Sequence, residues 1–170
     1  MVRSPSGELA DRLKLAMRRM PGPVSLITTR DPANGEPAGM IVSAVIPVAM
    51  EPPSMLVAVN RNSSCHSAIE RAGRFCVNLL STDQTGLVMP FSTPEGRERR
   101  FDHGSWSERE GLPYLADACA NIFCEVRTTL IHGTHELFIG NAWHVECEDG
   151  SALKALGWVE GAFADFRALG

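Results

Sequence analysis

The feature that most constrains the fold is a strand-forming run over residues 39–60, which holds two apolar segments rich in β-branched side chains. These segments cover residues 40–50 and 54–59, and a Glu-Pro-Pro tripeptide at 51–53 separates them. β-Branched residues favour strands, whereas consecutive prolines fix the backbone and remove hydrogen-bond donors. The run therefore predicts two strands joined by a rigid corner.

The first of these segments carries small side chains at Ser43 and Ala44, where a closed core needs bulky ones. Space beside the backbone at these positions suits a flat molecule. The second segment leads into a polar loop and then into a helix predicted over 67–72. The polar loop consists of Asn60, Arg61, Asn62, Ser63 and Ser64. A guanidinium group, hydroxyl and amide donors and a helix N-terminus together suit phosphate, so the run predicts a flavin nucleotide site.

The rest of the chain is mostly β in pattern. The further predicted strands are 23–29, 74–80, 118–131, 136–146 and 156–166. Residues 118–146 form a long hairpin in this interpretation, and 156–166 is a single closing strand. The polar stretch 93–115 is predicted as a long excursion over the surface. Many strands without a βαβ rhythm favour a β-barrel over a doubly wound sheet.

Two further helices are predicted. Residues 7–20 place Leu9, Leu13 and Met17 on one face, and prolines follow directly, so this N-terminal helix within residues 1–20 is interpreted as a cover for an open barrel end. The second helix starts at Ser81 or Thr82 as N-cap and reaches residue 91. Both helices are expected to be peripheral.

Composition narrows the functional class. At 170 residues, the chain is most simply one domain over 1–170 with its own core. A net charge of -4 gives no basic field for nucleic acid or anionic lipid. No apolar stretch approaches the ~20 residues of a membrane span, and the N-terminus lacks the apolar segment of a secretion signal. We therefore expect a cytoplasmic protein with a small-molecule ligand.

The cysteines do not predict a metal site. They are Cys65, Cys76, Cys119, Cys124 and Cys147, without the spacing of zinc ligands. We expect reduced thiols, with Cys76 and Cys124 in the core. Cys65 and His66 could suggest a nucleophile and a base, but no orienting carboxylate or oxyanion hole is recognisable in the sequence.

The order of the motifs resembles the flavin reductase-like family, the small reductase partners of two-component flavin monooxygenases. The matching pieces are Pro23-Val-Ser-Leu-Ile-Thr-Thr, Gly39-Met-x-x-Ser-Ala, Glu51-Pro-Pro, Asn60-Arg-x-Ser, Gly73-Arg-Phe-Cys-Val-Asn, Gly133-x-His and Trp158-x-x-Gly-x-Phe. The resemblance implies an FMN-binding split barrel: a six-stranded Greek-key β-barrel with a few peripheral helices. It also implies a homodimer with a flavin groove near the dimer interface.

The resemblance also implies site residues. The segment along the flavin ring would be Met40, Ile41, Val42, Ser43, Ala44 and Val45, with backbone amides at the polar edge of the ring. The phosphate would be held by Asn60, Arg61, Ser63 and Ser64. Gly133 and His135 would approach the nicotinamide nucleotide, with Thr134 where the family has Asp.

The activity implied is hydride transfer from NADH or NADPH to FMN or FAD, with the reduced flavin passing to a partner monooxygenase. The two cofactors carry this chemistry, so no catalytic acid or base is required. One alternative is a flavin-dependent reductase of another bound acceptor, such as a cobalt corrinoid. The other is a flavin- or haem-binding split-barrel protein without turnover. The charged residues at 97–100 are interpreted as a solvated face, with steering of the anionic cofactors as the alternative.

Overall fold

The computed structural model describes residues 5–95, 97–147 and 154–167. Within these ranges the α-helices are α1 Pro5–Met17, α2 Ser64–Ala72 and α3 Val88–Ser92. Short 3-10 helices lie at Thr82–Leu87 and Arg97–Arg99. The strands are β1 Gly22–Pro23, β2 Ser25–Arg30, β3 Pro37–Val42, β4 Val45–Met50, β5 Pro53–Asn60, β6 Arg74–Leu79, β7 Trp106–Arg109, β8 Leu112–Leu115, β9 Ala120–His132, β10 His135–Cys147, β11 Ala155–Val159 and β12 Ala162–Phe166.

The largest sheet is antiparallel and, among the described residues, contains seven strands in the order β3-β2-β6-β9-β10-β5-β4. Its edge strands β3 and β4 follow one another in the chain, joined only by Ser43 and Ala44. The sheet therefore curls until its edges meet, and the Ala58 N–H of β5 donates to the Ala44 carbonyl at 3.0 Å, which extends the β4–β5 ladder up to the junction with β3. Closure into a barrel removes the exposed edges. With β3 and β4 taken as halves of one bent strand, the barrel has six strands.

The prediction of one strand over 40–50 is wrong in detail. The chain leaves the neighbourhood of β2 after Val42 and joins β5 from Val45 onward. The apolar pattern continues through this point, although β3 is buried or half-buried along its length and β4 is mostly exposed after Val45. Small side chains at Ser43 and Ala44 permit the change of partner.

Two predicted single segments are hairpins instead. The excursion 93–115 contains the β7–β8 hairpin, and the closing strand 156–166 is the β11–β12 hairpin. Each turn is a Glu-Gly pair with positive φ at both residues, 47° and 81° at Glu110 and Gly111, and 53° and 81° at Glu160 and Gly161. Two consecutive positive φ values match the tight turns that fit the twist of paired strands.

Helix α1 lies outside the barrel core, so its predicted role as a cover is wrong for the single chain. Leu9, Leu13 and Met17 are more than half exposed. Beyond the C-terminal end of the helix, Arg18 exchanges hydrogen bonds with Glu160: its guanidinium donates to the Glu160 carbonyl at 3.1 Å, and the Glu160 N–H donates to the Arg18 carbonyl at 2.6 Å. None of the helices in the described ranges is long and apolar enough to cross a membrane.

The barrel core is apolar and contains one well-connected amide. Phe75, Phe123 and Phe138 are almost fully buried, and so are Cys76 and Cys124, as predicted. Asn78 on β6 donates to the Leu26 carbonyl at 2.7 Å and accepts from the Leu115 N–H at 2.7 Å. These bonds join β6, β2 and β8. They also satisfy the donor and the acceptor of a buried amide, which would otherwise be costly to bury.

Candidate functional site

A cleft of about 350 Å³ opens where the start of α2 meets β3 and α3. We call it the central cleft. Its lining comprises Gly39, Met40, Ile41, Asn60, Asn62, Ser63, Ser64, Phe91, Ser92, Thr93, Pro94, Arg97 and Arg100. Thioether, aliphatic and aromatic surface from β3 and α3 thus faces hydroxyl, amide and guanidinium groups.

The polar loop is organised by local hydrogen bonds. Ser63 is the N-cap of α2, because its hydroxyl accepts from the Cys65 N–H at 3.2 Å. The Asn60 side-chain oxygen accepts from the Asn62 N–H at 2.9 Å. The helix starts at Ser64, three residues earlier than predicted, so its N-terminal turn opens directly on the central cleft. A helix N-terminus favours anions through its free N–H groups and its dipole.

The predicted ring segment divides into two sets. Met40 and Ile41 line the central cleft, and the Ser63 hydroxyl lies 3.6 Å from the Met40 sulfur as its donor. Val42 and Val45 point into the core, where they are 7% and 5% exposed. Their side chains therefore offer a ligand little surface, and Val42 reaches open space at a smaller pocket beside Ser43.

A smaller pocket of about 230 Å³ adjoins the central cleft through Ile41 and Ser92. We call it the side pocket. Its lining is Val24, Ile41, Val42, Ser43, Val88, Ser92, Trp158 and Phe163. Trp158 and Phe163 pack edge to face with ring centroids 5.3 Å apart, which places the terminal hairpin beside Ser43. Ser43 thus borders open space, and Ala44 is exposed between β3 and β4.

On the other side, an outer cleft of about 640 Å³ shares Gly39, Ser64, Arg97 and Arg100 with the central cleft. Its further lining is Asp31, Asn34, Glu36, Pro37, Ala38, Ala68, Glu98, Phe101 and Asp102. The three cavities form a continuous concave surface along β3. Its length suits an extended ligand with a flat end and a charged middle.

Arg100 corrects the prediction of a solvated basic face. Arg100 is only 8% exposed. Its Nε donates to the Pro90 carbonyl at 2.5 Å, and its guanidinium also donates to the Thr93 carbonyl. The guanidinium carbon also lies 5.8 Å from the centre of the Phe91 ring. Burial lowers the pKa of Arg100, with Arg97 as a second cause, yet a guanidinium stays charged at neutral pH. Arg97 and Arg100 are therefore cations that line the central cleft, a placement that the sequence did not predict.

The turn at 133–135 lies next to the polar loop. The Arg61 N–H donates to the Thr134 carbonyl at 2.9 Å, and His135 pairs with Asn60 in the β5–β10 register. The Thr134 hydroxyl and His135 Nδ1 are 3.0 Å apart. Gly133 takes a φ of 57°, which its missing side chain permits. Two segments more than seventy positions apart in the sequence are thus joined at one end of the barrel.

A carboxylate does orient His66, contrary to the expectation from the sequence. His66 Nε2 lies 2.6 Å from Glu136 Oε2, and both side chains are more than nine-tenths buried. Cys65 is not a nucleophile, because burial raises the pKa of its thiol to about 12. Among the described residues, no group of three or more His, Cys, Asp or Glu side chains could hold a metal ion.

The fold is a split barrel with a concave surface that combines apolar and cationic groups, and comparison with known proteins gives the family. Residues 17–167 match the model of the flavin reductase like domain. The chain belongs to this family, which confirms the resemblance and the fold class inferred from the sequence.

Three proteins illustrate the similarity. The chain is 37% identical to the reductase component of an FADH2-dependent resorcinol hydroxylase from a Rhizobium species, over 81% of this chain and 76% of that protein. It is 34% identical to an FMN reductase (NADH) from Variovorax paradoxus, over 90% and 83%. The solved structure of a flavin reductase in its native state superimposes with a TM-score of 0.80, at 30% identity, covering 93% of this chain and 99% of that one.

Proposed function

We propose that the chain is an NAD(P)H-dependent flavin reductase that supplies reduced flavin to a partner monooxygenase. The observation that carries the proposal is the central cleft. Apolar surface at Met40 and Ile41 meets the N-terminal turn of α2 and the cations Arg97 and Arg100 in this one cleft. A member of a flavin reductase family needs these two surfaces, one for the ring and one for the phosphate.

The flavin phosphate binds at the start of α2 in this proposal, among Asn60, Arg61, Ser63 and Ser64. The exposed hydroxyl of Ser64 and the helix N-terminus supply donors, and Arg61 supplies charge from the same loop. Arg61→Ala should weaken flavin binding by about 10- to 150-fold, since it removes a charged hydrogen bond. A fluorescence titration measures this, and parent-like affinity would move the phosphate to Arg97 or Arg100.

The flavin ring extends from the phosphate along the backbone of residues 40–45. Ser43 leaves room beside the strand, and the buried side chains of Val42 and Val45 fix the backbone on which the ring rests. When bound, the flavin accepts a hydride from the reduced nicotinamide. The chain contributes alignment and hydrogen-bond donors, which is what such a reaction asks of the protein. His135 and Gly133 contact the nicotinamide nucleotide in this proposal.

We also propose that the chain forms a homodimer. The exposed side chains of Ile46, Val48 and Met50 on β4 are 54%, 47% and 80% accessible, which leaves apolar surface along one strand. Surface of this kind is typical of a protein–protein interface. Light scattering should therefore report about twice 18.5 kDa at micromolar concentration. A mass of a single chain would contradict the dimer.

Steady-state oxidation of NADH tests the proposed activity. Purified protein should oxidise NADH only when free FMN or FAD is added. Turnover that requires a different acceptor, such as a cobalt corrinoid, would instead identify a reductase of that acceptor. Absence of turnover with flavin bound would identify a binding protein.

A further inference from the structure

The buried pair His66–Glu136 joins the two neighbouring segments to which flavin phosphate and nicotinamide nucleotide are assigned in the proposed function. His66 is in the first turn of α2, three residues after the N-cap Ser63. Glu136 follows His135 directly at the start of β10. The 2.6 Å contact between Nε2 and Oε2 therefore spans from the proposed phosphate site to the proposed nicotinamide site.

The environment of the pair makes this contact costly to lose. Phe138, two residues along β10 and on the same face as Glu136, packs edge to face on the His66 ring with centroids 5.5 Å apart. The hydrogen bond with His66 lowers the pKa of Glu136, burial opposes this shift, and a hydrogen bond from the Thr129 hydroxyl and the charge of Arg61 lower the pKa further. A buried carboxylate without its donor would be strongly disfavoured.

Two backbone contacts tie the same segments together beside the side-chain pair. Asn60 and His135 are partners in the β5–β10 ladder, and the Arg61 N–H donates to the Thr134 carbonyl at 2.9 Å. The loop at 60–64 and the turn at 133–135 therefore cannot shift independently while the pair is intact. Rigid placement of binding groups lowers the ordering cost of binding.

We propose that His66 and Glu136 are positioning residues that hold the phosphate loop and the 133–135 turn as one unit, so that flavin and nicotinamide nucleotide bind to a shared, preformed frame. The pair touches neither ligand in this account and acts only through the residues it places. The proposal rests on the function proposed above for its ligands. Its structural part, the common placement of two segments, is independent of that function.

The first test is amide hydrogen exchange on the ligand-free protein. Glu136→Leu should accelerate exchange of residues 61–66 and 133–135 together, by about 10-fold or more, while β6 keeps its protection. Glu136→Gln keeps an acceptor for Nε2–H and should exchange like the parent. Acceleration in only one segment, or in neither, would overturn the proposal whether or not the protein reduces flavin.

The second test separates binding from turnover. Glu136→Leu should raise both the flavin Kd and the KM for NADH by about 5- to 30-fold, with kcat at saturation within about twofold of the parent. Glu136→Gln should restore both constants. A glutamine variant that behaves like the leucine variant, or a change in kcat alone, would contradict a positioning role.

A matched control is available on the same strand. Glu146 accepts from Arg109 at 2.5 Å near the other end of β10, away from the loop and the turn. Glu146→Leu breaks a more exposed ion pair on the same strand and should leave the flavin Kd and the KM unchanged. If Glu136→Leu does not fold, His66→Ala and His66→Gln provide the same comparison from the donor side, with rescue expected in the glutamine variant. Lack of rescue there would equally refute the proposal.

A parent protein that neither binds flavin nor oxidises NADH would refute the proposed function alone, since hydrogen exchange still decides the structural claim.

Discussion

The ring of Phe91 occupies the space beside Gly39 that a larger residue would need. A Cβ built on Gly39 would lie 2.8 Å from Phe91 Cε1 and 3.2 Å from the Ile27 carbonyl oxygen. The missing side chain thus lets α3 pack directly on β3. This contact sets one wall of the central cleft, because both residues line it.

Gly39→Ala should therefore destabilise the protein. Overpacking against a buried ring costs about 1–3 kcal/mol, which lowers the Tm of a chain of this size by roughly 2–10 °C. Thermal unfolding followed by circular dichroism measures the change. Gly86→Ala is the matched control, because a Cβ there meets nothing within 4 Å. Equal Tm values for the two variants would show that Phe91 yields without cost.

Arg100→Ala should weaken flavin binding and loosen the segment after α3. The substitution leaves the Pro90 and Thr93 carbonyls without their guanidinium donor and removes a cation from the cleft. We expect a loss of about 10-fold or more in affinity, and little rescue by Arg100→Lys, because an ammonium group lacks the planar fork. Titration with FMN measures it. Arg99→Ala, at an exposed neighbour paired with Asp102, should bind like the parent. Full rescue by lysine would reduce the role of Arg100 to charge alone.

His135→Ala should separate binding from chemistry. If the imidazole contacts the nicotinamide nucleotide, the flavin Kd stays nearly constant while the rate of flavin reduction at subsaturating NADH falls about 5- to 30-fold. Anaerobic stopped-flow absorbance measures that rate. His132→Ala, at the residue opposite His135 across the hairpin, is the control and should react at the parent rate. A His135 variant that loses flavin instead would place the turn on the flavin.

Thiol labelling should depend on pH in a defined way. Burial raises the pKa of Cys65 and Cys124 to about 12, so their reactive thiolates are scarce at neutral pH and grow only as the pH rises toward that value. Cys147 is exposed. A disulfide reagent at pH 8 should therefore label Cys147 rapidly in the native protein, and all five cysteines only after denaturation. Rapid labelling of Cys65 at pH 8 would show that α2 opens from the barrel.

Much of the barrel could be predicted because its strands are segments of alternating or continuous apolar residues, bounded by residues that favour turns. The long hairpin of β9 and β10 and the strand β6 after Gly73 were predicted to within a few residues. The hairpins at Glu110 and Glu160 were missed because a non-glycine residue with positive φ carries no sequence signal comparable to Asn-Gly. The break between β3 and β4 was missed because a change of strand partner leaves hydrophobicity unaltered.

The candidate site was predictable where its parts are local in sequence. The polar loop could be predicted from adjacent residues, although the helix after it begins three residues earlier than predicted, with Ser63 as its N-cap. The contact between His66 and Glu136 joins residues 70 positions apart, so no local pattern reveals it. Arg100 resembled its exposed neighbours in composition, and only the packing of α3 decides that its guanidinium is buried.

In the proposed function, the chain reduces free flavin with NADH and releases the reduced flavin. The most direct measurement is anaerobic mixing of a catalytic amount of protein with NADH and excess FMN, while flavin absorbance is followed. We expect many flavins to be reduced per chain, one for each NADH consumed, and the reduced flavin to pass a membrane that retains the protein. Reduction limited to one flavin per chain, or none at all, would contradict it.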